Sequence, residues 1–224
     1  MYVSEFFAAV KIGDRVRVEE ALHEQPNWIA AQNDQGQTPI IVAAFNRHID
    51  LARWLAERHA NLSFHEAIIT GHYDRVKSML DGNNELVDQM TPDGFTPLTL
   101  AAFFAQPKIL ELLLEEGADP NLVTKNAMQL RPLHSATAVG DGNMAFQLTK
   151  LLLEFGADPN VKQQGGFTPL HAAAAQGNRE LVQMLVDQGA DAYARNAEGS
   201  TPMEIAKNRG HDELSDWLRR KVRG

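Results

Sequence analysis

A short phrase recurs five times along the chain: Thr38-Pro39-Ile40-Ile41-Val42-Ala43-Ala44, Thr96-Pro97-Leu98-Thr99-Leu100-Ala101-Ala102, Arg131-Pro132-Leu133-His134-Ser135-Ala136, Thr168-Pro169-Leu170-His171-Ala172-Ala173-Ala174 and Thr201-Pro202-Met203-Glu204-Ile205-Ala206. A phrase repeated at near-constant spacing specifies a stack of small units rather than one closed core. Such a stack offers a long surface to a partner and seldom encloses a catalytic pocket.

Each position in the phrase has a physical task. Thr supplies a capping oxygen, and Pro in the first helical turn loses nothing by lacking an N–H. The Ala-Ala pair lets neighbouring units approach closely. A Leu/Val/Met cluster at helical spacing follows on a second helix and faces a shared core. Gly after that helix takes the left-handed closing conformation, and an Asp-x-Gly stretch turns the chain back as a finger.

Two further units lack Thr-Pro but keep the register. With the Thr position as marker, units start at 4, 38, 62, 96, 131, 168 and 201, at intervals of 34, 24, 34, 35, 37 and 33. The unit at Ser4 rests on Phe6, Ala9 and Gly13, and the unit at Leu62 on Phe64, Ala67 and Gly71. Residues 1–58 also map onto 59–116 at a constant offset of 58, so that Phe6 meets Phe64, Val18 Val76, Leu22 Leu80 and Phe45 Phe103. Unrelated helices would not hold one offset over so many apolar and glycine positions. Seven units cover the chain, read as one domain over residues 1–224.

Thr-Pro-Leu-His-x-Ala-Ala, a Gly soon after, and an apolar helix closing on Gly-Ala-Asp resemble the ankyrin repeat. Residues 166–191 carry the fullest match, ending Gly189-Ala190-Asp191; Gly117-Ala118-Asp119 and Gly156-Ala157-Asp158 close two more units in the same way. The turns Pro92-Asp93-Gly94-Phe95 and Gln164-Gly165-Gly166-Phe167 resemble those of short bacterial ankyrin proteins. The resemblance implies an all-α repeat solenoid of stacked helix-turn-helix units with short β-hairpin fingers. It also implies a protein-binding module without catalysis of its own.

Composition narrows the setting. The 224 residues contain no Cys, which excludes disulfides, thiolate metal sites and a cysteine nucleophile, and fits a reducing cytoplasm. Net charge −8 opposes a surface that tracks nucleic-acid phosphates. No apolar run is long enough to span a bilayer, and no basic-then-apolar leader opens the chain. The expectation is a cytoplasmic monomer with a protein partner, no nucleic acid and no membrane.

Two intervals break the period. The run 55–64 passes from helix to helix with no room for a finger, so one finger should be missing. In the fifth unit, four residues around Gly140-Asp141-Gly142-Asn143 add about one helical turn, which lengthens the second helix without rotating its buried face. Met144, Leu148, Leu151, Leu152 and Phe155 are expected on that face. At the ends, Lys11, Arg15, Glu19 and Glu20, and then Lys207, Arg209, Asp212 and Glu213, supply the polar cover a stack requires. The basic tail Arg219, Arg220, Lys221 and Arg223 complements the negative end of the last helix.

Other chemistry fails on context. Gly140-Asp141-Gly142-Asn143-Met144-Ala145 matches a dinucleotide fingerprint, but a repeat helix stands where that motif needs a strand. Asp81-Gly82-Asn83-Asn84-Glu85 lacks the Gly and Glu of a calcium loop. His65-Glu66 begins a zinc-protease phrase whose second His is replaced by Ile69. His134 and His171 recur as turn-bonding structural histidines. No cofactor, metal or catalytic constellation is indicated.

By the resemblance, a partner docks on finger tips and the exposed part of the first helices. These positions give Phe45, Asn46, Asp93, Phe95, Phe103, Phe104, Leu130, Val139, Gln164, Phe167 and Gln176 as candidate contacts. Large apolar groups at positions expected to be solvated point to an interface patch. Alternative readings are a dedicated inhibitor or immunity-type protein that occludes one enzyme and, from another class, a nucleotide- or metal-dependent enzyme acting at 140–143 or 65–72.

Overall fold

Helices joined by turns account for the computed structural model, which describes residues 2–221 and holds no strand among them. Contacts divide it into two units, Met1–Gly82 and Asn83–Gly224. The first contains α1 (Val3–Ile12), α2 (Arg15–Glu24), α3 (Pro39–Phe45), α4 (Ile49–Ala56), α5 (Phe64–Thr70) and α6 (Tyr73–Gly82). The second contains α7 (Pro97–Phe103), α8 (Pro107–Glu115), α9 (Pro132–Thr137), α10 (Gly142–Glu154), α11 (Pro169–Gln176), α12 (Arg179–Asp187), α13 (Pro202–Asn208) and α14 (Asp212–Lys221). A helix pair therefore stands at each of the seven registers.

Within the first unit α1 packs on α2 and α3, and α3 on α4 and α5. Within the second, α7, α9, α11 and α13 pack in succession, each also against its own second helix. The small residues make this possible. Ala43, Ala101, Ala102, Ala136, Ala173 and Ala174 are all buried, so the first helices approach closely. Leu110, Leu113, Leu148, Leu152, Leu181 and Leu185 fill the space behind them from the second helices. Burying each such side chain contributes about 1.5–3 kcal/mol.

The caps explain where helices begin. The hydroxyls of Thr96 and Thr201 accept from the N–H of Thr99 and Glu204, at 3.1 and 3.3 Å. At Arg131 and Thr168 the bond is reversed: their own N–H groups donate to Nδ1 of His134 and His171, at 3.1 and 3.0 Å. Where Pro is missing the start shifts from the marker. α5 is capped by Ser63 with Glu66 in a reciprocal capping box, and α1 starts after Tyr2. The helix begins where a side chain can satisfy its free N–H groups.

Tight turns form the fingers. In the first unit Asn33 N–H donates to Gln37 O at 3.0 Å. In the second, Thr91, Gln163 and Asn196 close onto Phe95, Phe167 and Ser200 in the same way. The second unit's fingers are also joined in series. Lys125 N–H donates to Gly94 O, Gln164 N–H to Met128 O and Ala197 N–H to Gly165 O, at 2.8, 3.1 and 2.8 Å. Gly94 is obligatory here, with φ +76° and a Cβ that would lie 2.7 Å from Lys125 backbone. At the matching donor position the first of these fingers has Pro92, which has no N–H to give.

Both breaks in period appear as expected. Between Ala56 and Phe64 the backbone–backbone bonds close α4, Arg58 N–H to Leu55 O and His59 N–H to Ala56 O among them, and no finger forms. α10 runs 13 residues where α8 and α12 run nine. Leu148 and Leu152 are fully buried in it, whereas Met144 and Leu151 are half-buried. Phe155, expected on the buried face, is 44% exposed. It lies past the end of α10, where the chain has left the helical phase.

The ends are less polar than expected. Ile12 and Val16 are exposed beside the charged residues of α1 and α2. Arg219 pairs with Asp216 at 3.1 Å and Lys221 with Asp187 at 3.4 Å, so the basic tail closes α14 and ties it to α12. Arg223 lies outside the described residues.

Candidate functional site

The corner that ends α7 presents two adjacent aromatic rings. Phe103 is 49% exposed and Phe104 half-buried, their centroids 5.1 Å apart in an edge-on arrangement. The next residue, Ala105, has φ 52°, a left-handed conformation that costs an L-residue about 1–2 kcal/mol. Gly71 and Gly177 occupy the same place after α5 and α11, where the conformation is free of strain. In the first unit the corner after α3 repeats the pattern. Phe45 and Asn46 are half-buried, Asn46 Nδ2 donates to Val42 O at 2.8 Å, and Arg47 has φ 68°.

Other candidate contacts are placed less uniformly. Asp93 and Gln164 are exposed at finger tips, and Leu130 and Phe167 are half-buried, Phe167 edge-on to His171 at 5.7 Å. Val139 packs against the core of the second unit. Gln176 is exposed, but its side-chain N–H donates to Thr137 O at 3.0 Å. Phe95 differs from expectation: it is 9% exposed, because its finger folds the ring inward over the unit instead of into solvent. Met128 was not anticipated. Its finger spans seven residues, closed by Thr124 N–H to Leu130 O, and left-handed Gln129 leaves Met128 47% exposed. Its signal in the sequence is the interval of 35 from Thr96 to Arg131, which leaves room for a longer finger.

The histidines are structural, as expected. His134 Nδ1 accepts from Arg131 N–H, which leaves Nε2 as the donor to Val161 O at 3.2 Å in the next finger. His171 reaches Ser200 O at 3.1 Å in the same manner. Burial is the main cause that pushes His134 down to about 4, and it lowers His171 as well. Both rings are neutral at pH 7, and each bolts one unit to the next.

Gly140 to Asn143 serve a helix start. Asp141 caps α10 by accepting from Met144 N–H at 2.9 Å, and a helix, α9, precedes the turn. The hollow there, about 520 Å³, is lined by Gln176, Asn178 and Glu180, and a carboxylate is a poor neighbour for phosphates. Among the described residues no three His, Cys, Asp or Glu side chains could share a metal ion. No described helix is long and apolar enough to cross a membrane.

Comparison with known proteins agrees with this geometry. Models of single and multiple ankyrin repeats match residues 35–64, 63–124 and 152–206. The chain belongs to the ankyrin-repeat family. Relatives include the mouse ankyrin repeat and SAM domain-containing protein 6, 28% identical over 54% of this chain but 11% of its own length. Human ankyrin repeat and SOCS box protein 16 is 30% identical over 52% of this chain and 27% of its own. The yeast probable 26S proteasome regulatory subunit p28 is 26% identical over 72% of this chain and 75% of its own. The chain thus spans only a small part of the first two relatives. Ankyrin repeats are protein–protein interaction modules, and these repeats carry the helix pairs and fingers that such a module requires.

Proposed function

We propose that this ankyrin-repeat chain is a monomeric, cytoplasmic protein-interaction module without catalysis of its own. Its anchor is the aromatic corner Phe103–Phe104, with Asp93, Met128 and Gln164 on the fingers of the same unit contributing contacts. One observation carries the reading: a large ring, half exposed to water, sits beside a residue held in a strained conformation. Strain of this kind persists where the surroundings fix it and concentrates at functional positions. Exposed aromatic anchors dominate binding energy in interfaces.

Phe103→Ala is the test. Because half the ring already faces solvent, the substitution should lower stability by no more than about 1 kcal/mol. Loss of a central anchor should weaken capture of the partner by about tenfold or more. The partner is taken from an affinity purification in the source organism and its activity assayed with and without the chain, which separates a scaffold from an inhibitor. Unchanged capture by Phe103→Ala at an unchanged melting curve would place the site elsewhere.

A further inference from the structure

The first unit holds a second cluster that the aromatic corner does not use. Trp54, in the last turn of α4, is 7% exposed, yet its indole Nε1 is buried with no hydrogen-bond partner. The Arg58 guanidinium lies 4.2 Å from the centre of that ring and the Arg15 guanidinium 5.1 Å from it. Arg58 is held to Trp54 O at 3.2 Å and only loosely to Glu57, at 3.8 Å, with 47% of its side chain exposed. His59, the next residue, has a buried and equally unpartnered Nδ1. Of the two orphan atoms, Trp54 Nε1 belongs to the last turn of α4 and His59 Nδ1 to the run without a finger that follows it.

A buried polar atom without a partner is costly and rare, and an unoccupied ion site is one of the few explanations for it. The chemistry of the cluster is one-sided. Indole N–H and guanidinium groups only donate, and both guanidiniums carry permanent charge. Stacking on the indole face leaves the guanidinium edge free to bond in its own plane. Among the described residues Glu57 is the carboxylate paired with the cluster, and at 3.8 Å it is a weak competitor.

We propose that Trp54, Arg58 and Arg15 form an oxyanion site that takes a carboxylate or phosphate group, with His59 able to add a further donor. The anion's oxygens receive the Trp54 Nε1–H and the free edge of Arg58, and Arg15 supplies charge from the ring. This site is independent of the Phe103 corner, so either can fail without the other.

The chain supplies its own control. Its three tryptophans are Trp28, Trp54 and Trp217, and Arg179 stacks on Trp217 at 5.6 Å with no orphan indole nitrogen there. The full-length chain is titrated with inorganic phosphate, and separately with acetate, at ionic strength fixed by chloride, and the indole N–H signals are followed by NMR. The Trp54 signal should shift saturably while Trp217 stays. Arg58→Ala should weaken the midpoint about tenfold or more, and Arg58→Lys, which keeps charge but not the planar fork, should recover only part of it. A response to phosphate alone, acetate alone or both identifies the oxyanion. A Trp54 signal that moves no more than that of Trp217, or a response unchanged in both Arg58 variants, would overturn the site.

Discussion

Asp88→Asn should stabilise the second unit. A row of side chains links successive units below the helices: Asn121 Oδ1 accepts from Asp158 N–H at 2.8 Å, and Asn160 Oδ1 from Asp191 N–H at 2.7 Å. Each amide also donates, Asn121 to Gly156 O at 3.0 Å and Asn160 to Gly189 O at 2.9 Å. Asp88 holds the equivalent place toward Asp119, but its carboxylate oxygens are 3.3 and 3.4 Å from Asp119 N–H, and it has nothing to donate to Gly117 O. Burial raises the Asp88 pKa and the neighbouring Asp119 charge adds to this, while the Asp119 N–H opposes both. An amide restores the missing bond, worth about 1 kcal/mol net at pH 7, and removes a carboxylate charge whose solvent-screened contribution is small. The pH dependence follows from the raised pKa. The native state holds the Asp88 proton more tightly, so the wild-type penalty is full above the folded pKa and vanishes below the ordinary value of 3.8. Urea unfolding at pH 7 and near pH 3 should show the variant ahead in both, by more at pH 7. A neutral or destabilising effect at pH 7 would refute the argument that the row prefers an amide.

Ala105→Gly should stabilise by about 0.5–1 kcal/mol, because the left-handed corner no longer strains a Cβ; a lowered melting temperature would contradict this. Protonation of His134 breaks its bond from Arg131 N–H, and its folded pKa is about 4 against an ordinary 6.5. Its stabilising effect is therefore complete above 6.5 and lost as pH falls toward 4. Between pH 7 and 5 the wild type should lose about 2 kcal/mol more than His134→Gln, and equal losses in denaturant titrations would remove His134 as the cause. The expectation of one domain predicts a single unfolding transition by calorimetry and circular dichroism, whereas two separable transitions would divide the chain near Gly82.

Most of the architecture was legible because the repeat ties identity to position. Pro fixes the start of α3, α7, α9, α11 and α13, and the two positions without it, at α1 and α5, are where the start departed from the register. The added turn of α10 was readable because four residues restore the buried face of a helix. The candidate surface was read less well. Phe95 and Phe103 are both aromatic residues at positions named as exposed, yet one is folded inward by its finger and the other is half exposed. Composition at a repeat position does not report ring direction, which depends on turn geometry two or three residues away. Met128 shows the same limit, since its exposure follows from two extra residues and a left-handed Gln129 in its own finger.

The internal duplication at offset 58 adds what a single corner could not. Phe45 and Phe103 occupy the same repeat position, and so do Arg47 and Ala105, which both take left-handed φ where α1, α5 and α11 are followed by Gly13, Gly71 and Gly177. Two corners thus lack the residue that relieves strain, and the same two carry the aromatic. Arg47→Gly set beside Ala105→Gly tests whether the two corners bear the same strain: each should gain stability alone, and the gains should add.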